Sequence, residues 1–348
     1  MSWRGRRSQK VLISGCITAA LGAGVLVGAH PVSAAMRARA TTYTLRKISN
    51  LDGDGLTPSG NAYGSNQSTT VAEVVTPAGK VITLTTPTGD QSRATAGYGN
   101  HYAGQNFTTG TAVRWTLSGG SVSVQTLAGS FPLPEGVDAA GAVVGQSNGL
   151  AVLWKAGSSG VTQLPLPAGY TGGEATSISA NGAIIGGGVS NPANVFRAAT
   201  WLRSKRGAYV VHVLTGTNAE VKAVNSSGVE VGGQLFGTGQ AREWLPRPGG
   251  TFSPVDLGGP SGEGCIATAI DNASTPAIIG DCSSATSYAW ISRGHRTLTD
   301  LQPVIATADP GVTQTRAIGT DTAGQLLIEA DGSAFADYVL TPSSSIAK

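Results

Sequence analysis

The stretch AVVGQSNGLAVLW (residues 142–154) decides the fold, because it contains a small-residue strand, a Gly-containing turn and a second strand that ends in Trp. A similar stretch recurs about every 45 residues, a period that is typical of repeat architectures such as β-propellers. Aligning the repeats on the glycine at the end of the first of these strands gives Gly64, Gly104, Gly145, Gly186, Gly232 and Gly280, with Ile328 in the seventh unit. An aromatic or β-branched residue follows each of them, namely Val75, Trp115, Trp154, Trp201, Trp244, Trp290 and Val339.

Each repeat has the pattern of four short strands. In the fifth unit these are VKAVN (221–225), VEVGGQ (229–234), QAREW (240–244) and FSPVDL (252–257). Apolar residues alternate with a period of two, which indicates strands, and no helical period is long enough to predict a helix. Seven such units predict an all-β fold, a seven-bladed β-propeller. Small residues in the first strand suit the crowded axis of the ring, and Trp fills the wider space between blades.

The two ends of the repeat region predict how the ring closes. The segment TYTLRKISNL (42–51) has the pattern of a fourth strand with no blade before it. The segment FADYVL (335–340) has the pattern of a third strand with no fourth strand after it. We therefore expect the N-terminal strand to pair with the last blade, which removes a long exposed edge. Residues 36–348 are predicted to form a single propeller domain of seven repeats of about 40–49 residues.

The repeats resemble those of the secreted bacterial HAF-repeat (extracellular HAF) proteins. The segments that carry the resemblance are SISANGAIIGGG, AVNSSGVEVGGQ, DAAGAVVGQS and VDLGG, and together the units cover nearly all of residues 43–341. No unit contains the His-Ala-Phe of that family, and AVRW, AVLW and AREW stand in its place. The resemblance implies an exported, propeller-like repeat protein. It implies no catalytic residues, because the motif of that family is structural.

Residues 1–35 have the pattern of a secretory signal. A basic segment (MSWRGRRSQK), an apolar segment (VLISGCITAALGAGVLVGA) and small residues (HPVSAAM) follow in order, which predicts cleavage after Ala34 or Ala35 and a secreted, extracellular protein. The alternative is an uncleaved anchor, the only case in which we expect contact with a membrane. The chain has 23 basic and 20 acidic residues, but without the signal it has 19 and 20. No basic surplus remains that would favour nucleic-acid binding.

Two cysteines remain after the signal, and an exported protein permits a disulfide between them. Cys265 and Cys282 flank two strand-like runs joined by the turn-forming DNASTP (271–276). An antiparallel hairpin would place the two sulfurs opposite each other, so we predict a disulfide between Cys265 and Cys282. Two buried free thiols are the alternative.

No enzymatic or cofactor motif stands out. No two His have the spacing of metal ligands, no Ser lies in Gly-x-Ser-x-Gly, and no Gly-rich stretch leads from a strand into a phosphate-binding helix. LDGDGLTPSGN (51–61) is similar to part of a calcium loop, but it lacks the final Glu and the flanking helices of an EF-hand, and we interpret it as a turn. We therefore predict no cofactor, and nothing in the sequence specifically indicates a bound Ca²⁺.

The strand order predicts a disc with two differently charged faces. The loops before the first strands carry acidic residues, namely Asp52, Asp54, Asp90, Glu135, Glu174, Glu220 and Glu263. The loops between third and fourth strands open on the opposite face and carry Lys155, Arg203, Lys205, Arg206, Arg247, Arg293 and Arg296. Converging carboxylates at a channel mouth can bind a cation or a cationic ligand, or act as an acid–base pair on a glycan. The candidate ligand- or cation-binding residues are Asp52, Asp54, Glu135, Glu174 and Glu220. The alternative is that these charges only keep a nearly neutral protein soluble.

The sequence favours a non-enzymatic binding propeller over an enzyme. A rigid ring can present variable loops to a partner, and the loop between Gly186 and Trp201 and the segment 302–316 are the longest insertions. We expect a monomer that binds a protein, a glycan or a cell-wall ligand. The alternative is a carbohydrate-active hydrolase or lyase acting at the acidic mouth, with Tyr98, Tyr102, Tyr170 and Phe131 as its candidate aromatic platforms. A purely structural surface protein has the same sequence pattern.

Overall fold

The computed structural model describes residues 42–216, 218–234, 239–259, 263–283, 287–293, 298–332 and 335–343. The predicted signal, residues 1–35, and Arg296 lie outside the described residues. Within these ranges the chain forms 28 strands and one short helix, and these strands make seven four-stranded antiparallel sheets. No helix within these ranges has the length and apolar character that crossing a bilayer requires. The protein is a seven-bladed β-propeller, as the repeats predict.

The strands follow one another blade by blade. The first strand, β1 (Tyr43–Ile48), precedes blade 1. Blade 1 contains β2 (Leu51–Leu56), β3 (Ala62–Asn66), β4 (Ala72–Val75) and β5 (Val81–Thr83). Blade 2 contains β6 (Ser92–Tyr98), β7 (His101–Asn106), β8 (Thr111–Ser118) and β9 (Ser121–Leu127). Blade 3 contains β10 (Leu133–Val137), β11 (Val143–Ser147), β12 (Leu150–Trp154) and β13 (Val161–Gln163). Blade 4 contains β14 (Gly172–Ile178), β15 (Ile184–Ser190), β16 (Phe196–Arg203) and β17 (Tyr209–Val213). Blade 5 contains β18 (Ala219–Val224), β19 (Glu230–Gln234), β20 (Ala241–Arg247) and β21 (Thr251–Gly258). Blade 6 contains β22 (Gly264–Ile270), β23 (Ala277–Ser283), β24 (Ser287–Arg293) and β25 (Thr299–Asp300). The helix α1 (Gln302–Ala308) follows. Blade 7 then contains β26 (Gln314–Thr320), β27 (Leu326–Asp331) and β28 (Ala336–Pro342).

The ring closes where the sequence predicts. Strand β1 pairs antiparallel with β28, with Tyr43 opposite Pro342 and Ile48 opposite Asp337. The seventh sheet therefore has the order β1-β28-β27-β26, so its outermost strand comes from the beginning of the repeat region and its other three strands from the end. Joining the two ends of the ring in one sheet removes the open edge that either end alone would leave.

Apolar side chains lie between the blades in seven clusters, one for each interface. The cluster between blades 3 and 4, for example, joins Val144 and Leu153 of one blade to Ile185 and Trp201 of the next. Four indole N–H groups also donate to a backbone carbonyl that follows the outermost strand of the preceding blade, and Trp201 donates to Pro165 over 2.8 Å. Because a buried indole N–H needs an acceptor, each of these four Trp both fills and ties its interface.

The strand register corrects the repeat alignment at three positions. Gly187, not Gly186, is the equivalent of the other strand glycines, since a Cβ on Gly187 would lie 2.1 Å from the Glu174 carbonyl as the others do with their partners. Trp115 pairs with Tyr102, two residues before the strand glycine Gly104, whereas Trp290 pairs with the strand glycine Gly280 itself. Four Trp, and not five, therefore share one position in the blades. In blade 7 that position belongs to Leu340 and not to Val339. Runs such as GGG and LLI leave the register open in the sequence, and hydrogen bonding decides it.

The predicted disulfide is present. Cys265 and Cys282 lie directly opposite each other on β22 and β23, with their Cα atoms 4.0 Å apart and their sulfurs bonded. Both are buried in the cluster between blades 5 and 6. The hairpin turn at 271–276 therefore aligns the two cysteines as the symmetric spacing predicts.

Helix α1 is a feature that periodicity did not predict. It spans seven residues of the insertion 302–316, begins with a Pro in its first turn, and buries Ile305 in the cluster between blades 6 and 7. A helix of this length contains two turns, which is too short to produce a recognisable helical period in the sequence.

Candidate functional site

The innermost strand of every blade contains a β-bulge at the same place. In blade 3, for example, Pro134 pairs with Gly145 and Gly136 pairs with Val144, so Glu135 has no opposite residue. A bulge locally re-aims the side chain of the extra residue. The bulged residues, one from each blade, are Asp54, Thr95, Glu135, Thr176, Lys222, Thr268 and Ile318.

These seven side chains line a cavity of about 240 Å³ that all seven inner strands surround. From the bulges the cavity extends toward the turns between first and second strands, where Pro58, Ala180 and Asn272 line it. We call the face that carries these turns the turn face, and the opposite one, where the inner strands begin, the start face. The cavity thus has the bulged residues as its floor and extends to the turn face.

The wall directly above the floor is made of small residues. The residues that follow the bulges are Gly55, Ala96, Gly136, Ser177, Ala223, Ala269 and Gly319. A Cβ on Gly319 would lie 2.7 Å from the backbone nitrogen of Leu56 in the next blade, so the inner strands approach too closely for larger side chains there. This agrees with the prediction that small residues surround the axis.

Three of the seven floor residues are threonines that tie neighbouring blades together. The hydroxyl groups of Thr95, Thr176 and Thr268 donate to the carbonyls of Pro134, Val221 and Ala317, over 2.6, 2.6 and 3.0 Å. In each case the acceptor is the residue just before the bulge of the next blade. The Thr hydroxyl therefore has a structural role at this position, which makes the charged residues at equivalent positions stand out.

Asp52 and Asp54 form a cluster with an arginine from the next blade. Arg93 of β6 donates through Nη1 to Oδ2 of Asp52 over 2.5 Å, through Nη2 to Oδ1 over 2.9 Å, and through Nε to Oδ2 of Asp54. The side chain of Arg93 is buried, and so is that of Asp54. The guanidinium therefore occupies the space between the two carboxylates, and a fork of this kind matches carboxylate geometry closely.

The other three predicted carboxylates lie together on neighbouring blades, around a lysine. Glu135 is on β10, Glu174 on β14, and Glu220 and Lys222 on β18. The Lys222 ammonium forms an ion pair with Glu220, whose side chain is 1% exposed, while 33% of the Lys222 side chain remains accessible. Glu174 shares a hydrogen bond with Glu220, and Glu135 interacts electrostatically with both members of the ion pair. Glu135 and Lys222 line the cavity, whereas Glu174 and Glu220 lie outside its lining.

These neighbours pull the pKa values of the three carboxyl groups apart. Burial raises the pKa of Glu174 to about 10, and the adjacent Glu220 adds to that effect. Burial also acts to raise the pKa of Glu220, but the charge of Lys222 and the hydrogen bonds from Glu174 and Lys222 outweigh it and lower that pKa. Burial raises the pKa of Glu135 to about 7, although Lys222 acts to lower it. At neutral pH Glu174 is therefore protonated, Glu220 is ionised, and Glu135 is partly ionised.

All five candidate residues lie within inner strands and not in the loops where the sequence analysis put them. The strand β14, for example, begins at Gly172 and so includes Glu174. The N-terminal ends of these strands contain Gly and acidic residues of low β propensity, so a reading based on propensity starts the strands too late. Asp90 and Glu263 do precede their strands, and the described basic residues do lie at or next to the turns between third and fourth strands.

The candidate aromatic platforms do not gather at the site. Tyr102 is fully buried between blades 1 and 2, whereas Phe131 is 85% exposed. Of the four, only Tyr98 lines the cavity. Tyr63, which the sequence analysis did not consider, lines it as well.

Sequence reasoning missed Arg93 and Lys222, the cations of the two carboxylate clusters. Arg93 lies about 40 residues from its partners, so only the spatial order of the blades brings them together. The sequence did contain a signal for Lys222. Alternate residues of a strand share a face, and Lys222 lies two residues after Glu220, as Asp54 lies two residues after Asp52. This spacing could have predicted that Lys222 lies beside Glu220. A buried Asp281, whose pKa burial raises to about 7, was also missed; it accepts a hydrogen bond from the Ala317 amide.

The arrangement is not that of a metal site. Among the described residues, no three His, Cys, Asp or Glu side chains come together in a way that could hold a metal ion. What the channel offers is a cavity with small walls, a floor of hydroxyl and charged groups, and one carboxyl group, Glu135, that titrates near neutral pH.

No family model and no curated protein matches the chain. Among solved structures, a chain of a mitotic checkpoint complex superposes with a TM-score of 0.56 and 15% identity, covering 94% of this chain and 98% of that one. A streptogramin B lyase (TM-score 0.49, 8% identity, 86% and 98% covered) is also similar. So is an inactive virginiamycin B lyase from Staphylococcus aureus with quinupristin (TM-score 0.47, 12% identity, 86% and 100% covered). At 15% identity the likeness to the chain of the mitotic checkpoint complex shows the fold alone, and that fold is the β-propeller.

Proposed function

We propose that this chain is an exported, non-enzymatic β-propeller that binds a small ligand, or the terminal group of a glycan, in the cavity at its axis. The observation that carries this proposal is the floor of the cavity, to which every blade contributes one bulged residue. Ligand sites are concave, with apolar and aromatic side chains and a few convergent polar groups in their lining, and this cavity contains both kinds of residue.

Export is supported by two independent features. Residues 1–35 have the order of basic, apolar and small residues that a secretory signal needs. The disulfide between Cys265 and Cys282 suits an oxidising compartment. Membership of the HAF-repeat proteins rests on the repeat motifs alone and belongs to the same proposal.

Binding is favoured over glycoside hydrolysis by the arrangement of the carboxyl groups. A glycosidase needs two carboxyl groups about 5–10 Å apart on either side of the bond that is cleaved. Glu174 and Glu220 instead share a hydrogen bond directly, which leaves no space for a substrate between them. The other carboxylates that line the cavity with Glu135 are Asp54, Asp271 and Asp321, and each is already hydrogen-bonded, to Arg93 or to backbone amides of its own turn.

A screen of the exported protein against glycans and small metabolites, with a variant that blocks the cavity, tests this function. Ala180 lies at the rim on the turn face, so Ala180→Trp is expected to abolish binding of the hits. Ser226→Trp, at an exposed turn on the same face outside the cavity lining, is the matched control and is expected to retain them. Hits that survive Ala180→Trp, or cleavage products from a panel of polysaccharides, would contradict the proposal.

A further inference from the structure

The charged groups on the cavity floor differ in whether they have a counter-ion of their own. Asp54 is bound by the guanidinium of Arg93, and Lys222 is bound by the carboxylate of Glu220. Glu135 is the third charged floor residue, and within the described part of the chain its carboxylate accepts no hydrogen bond. Its charge is met only by the field of Lys222, which Glu220 already neutralises. One carboxylate therefore remains available to a ligand.

The position of Glu135 argues against a structural role. At the equivalent positions of the two adjacent blades, Thr95 and Thr176 each donate a hydrogen bond to the next inner strand. An ionised carboxylate has no proton to donate and cannot make that bond. Placing a carboxylate here also removes it partly from water, which costs stability unless a partner is supplied. The residue thus lacks the contact that its neighbours provide and incurs a desolvation cost that they do not.

Above this carboxylate one part of the cavity wall is apolar, while Asp271 and Asp321 line it at the turn face. Leu56, Val137, Ile178 and Ile270 line it near the ends of the inner strands, together with the aromatic rings of Tyr63 and Tyr98. A volume of about 240 Å³ accommodates a six-membered ring with a substituent. Of the four described carboxylates that line the cavity, Asp54, Asp271 and Asp321 accept hydrogen bonds and Glu135 accepts none. Glu135 together with the apolar part of the wall is complementary to a ligand with an apolar body and a cationic end.

We infer that the cavity binds a small amphipathic amine, whose ammonium group pairs with Glu135 and whose apolar body lies against the walls above it. This inference rests on the proposed function and specifies its ligand class. Glu135 is the binding residue. The Thr95 side of the floor is the position for the ammonium, since Asp54 lies beyond it and Lys222 lies on the opposite side of Glu135 in the order of the blades.

Cyclohexylamine and cyclohexanol are the probes that test it, because they share one ring and differ in the charge of the substituent. At about pH 8, titration calorimetry with the exported protein is expected to show at least tenfold tighter binding of cyclohexylamine, a roughly minimal value for a charge-assisted hydrogen bond. Glu135→Gln is expected to abolish that preference and leave cyclohexanol binding unchanged. Glu73→Gln, at a buried carboxyl group of β4 outside the cavity, is the matched control and keeps the preference.

A second measurement needs no variant. Burial raises the pKa of Glu135 to about 7, so lowering the pH to about 6 protonates it and the preference for the amine decreases. Beside Glu135, Glu174 remains protonated and Lys222 remains charged throughout this range. Burial also raises the pKa values of Asp271 and Asp321, but these two line the cavity at the turn face and not at the floor where the ammonium is placed. Glu220 remains ionised, because Lys222 lowers its pKa.

Equal affinity of the two probes for the unmodified protein, or a preference that persists in folded Glu135→Gln, overturns the inference. So does a failure of both probes to bind. The proposed function survives these results if other ligands bind to the unmodified protein and Ala180→Trp abolishes their binding. If the Glu135-dependent preference is found but Ala180→Trp does not affect it, the assignment of the cavity as the binding site is wrong.

Discussion

Two carboxylate clusters each contribute a carboxylate, Asp54 or Glu135, to the floor of the cavity, and their electrostatic environments differ. Between blades 1 and 2, Arg93 binds both Asp52 and Asp54, so each of these carboxylates has a cationic hydrogen-bond partner. Across blades 3 to 5, three carboxyl groups share one lysine, and the shortage of positive charge is met by a proton on Glu174 and by a raised pKa of Glu135. The comparison shows that a direct cationic partner for each carboxylate, and not the number of carboxylates, determines which cluster remains open to a ligand.

The choice of cation reinforces this difference. A guanidinium has five donors in a rigid plane and can bind two carboxylates at once, whereas an ammonium is a compact point charge. Arg93 uses three nitrogens on its two partners. Lys222 has one hydrogen-bonded partner, Glu220, and acts on Glu135 and Glu174 only through its field. The first cluster is therefore a structural tie between blades, and the second retains groups that titrate.

The largest effect is expected from removing the cation of the first cluster. Arg93→Leu removes the guanidinium that binds both carboxylates, and breaking a buried ion pair in this way costs about 3–5 kcal/mol of the free energy of unfolding. Urea unfolding at neutral pH measures it.

Two variants establish that this cost comes from the charges. Arg206→Leu, at an exposed turn, is expected to change stability by no more than about 0.5 kcal/mol. Adding Asp52→Asn and Asp54→Asn to Arg93→Leu is expected to restore most of the lost stability. If the triple variant is as unstable as Arg93→Leu alone, the guanidinium contributes through packing and the description of this cluster as an ion-pair tie is wrong.

The fold could be predicted from the sequence because the signal is repeated seven times. The small residues around the axis, the disulfide between Cys265 and Cys282 and the pairing of β1 with β28 all follow from repeat spacing and strand alternation. Each of these features depends on local pattern or on the symmetry of the ring. The helix α1 and the position of Trp290 were not predicted, because neither one repeats.

The candidate site could be predicted only in part, for a physical reason. The acidic residues were found because they recur near the start of each repeat, but strand propensity placed them in loops, since Gly and acids disfavour strands. Their partners were not found, because an ion pair such as Arg93 with Asp52 joins residues that no local pattern connects. The pKa of Glu174 depends wholly on such non-local neighbours.

A smaller effect of opposite sign is expected from Glu174→Gln in the second cluster. Glu174 has a folded-state pKa of about 10 against an ordinary value of 4.5, so folding requires proton uptake between these pH values. Its contribution to stability is present below the ordinary pKa and is lost as the pH rises toward about 10. Glutamine is neutral at every pH and can still donate to Glu220. The variant is therefore expected to equal the unmodified protein near pH 4 and to be the more stable of the two at pH 8, by a margin that grows as the pH rises.

Glu220→Gln serves as the comparison for this measurement, because the pKa of Glu220 is lowered. Its contribution is present above the ordinary pKa and lost as the pH falls, so its replacement is expected to destabilise the protein at pH 8 and to matter little in acid. Thermal unfolding from pH 4 to pH 8 records both curves. If Glu174→Gln is the less stable variant at pH 8, the proton is not on Glu174.

The smallest effect, and the one that most directly separates structure from function, is expected from Glu135→Thr. Threonine at this bulge restores the residue type of both neighbouring blades, where a hydroxyl group donates to the next inner strand. A net gain of about 0.5–1 kcal/mol is expected from one added hydrogen bond and the loss of a partly desolvated carboxylate. The same substitution removes the group to which we assign the ammonium of the ligand, so stability should rise while the preference for cyclohexylamine over cyclohexanol disappears. Glu135→Gln removes the charge without adding the hydrogen bond, so it should share the binding loss and gain less stability. If Glu135→Thr is instead destabilising, Glu135 has a structural role that the bulge position does not reveal, and a carboxylate retained for binding is no longer the explanation for its presence.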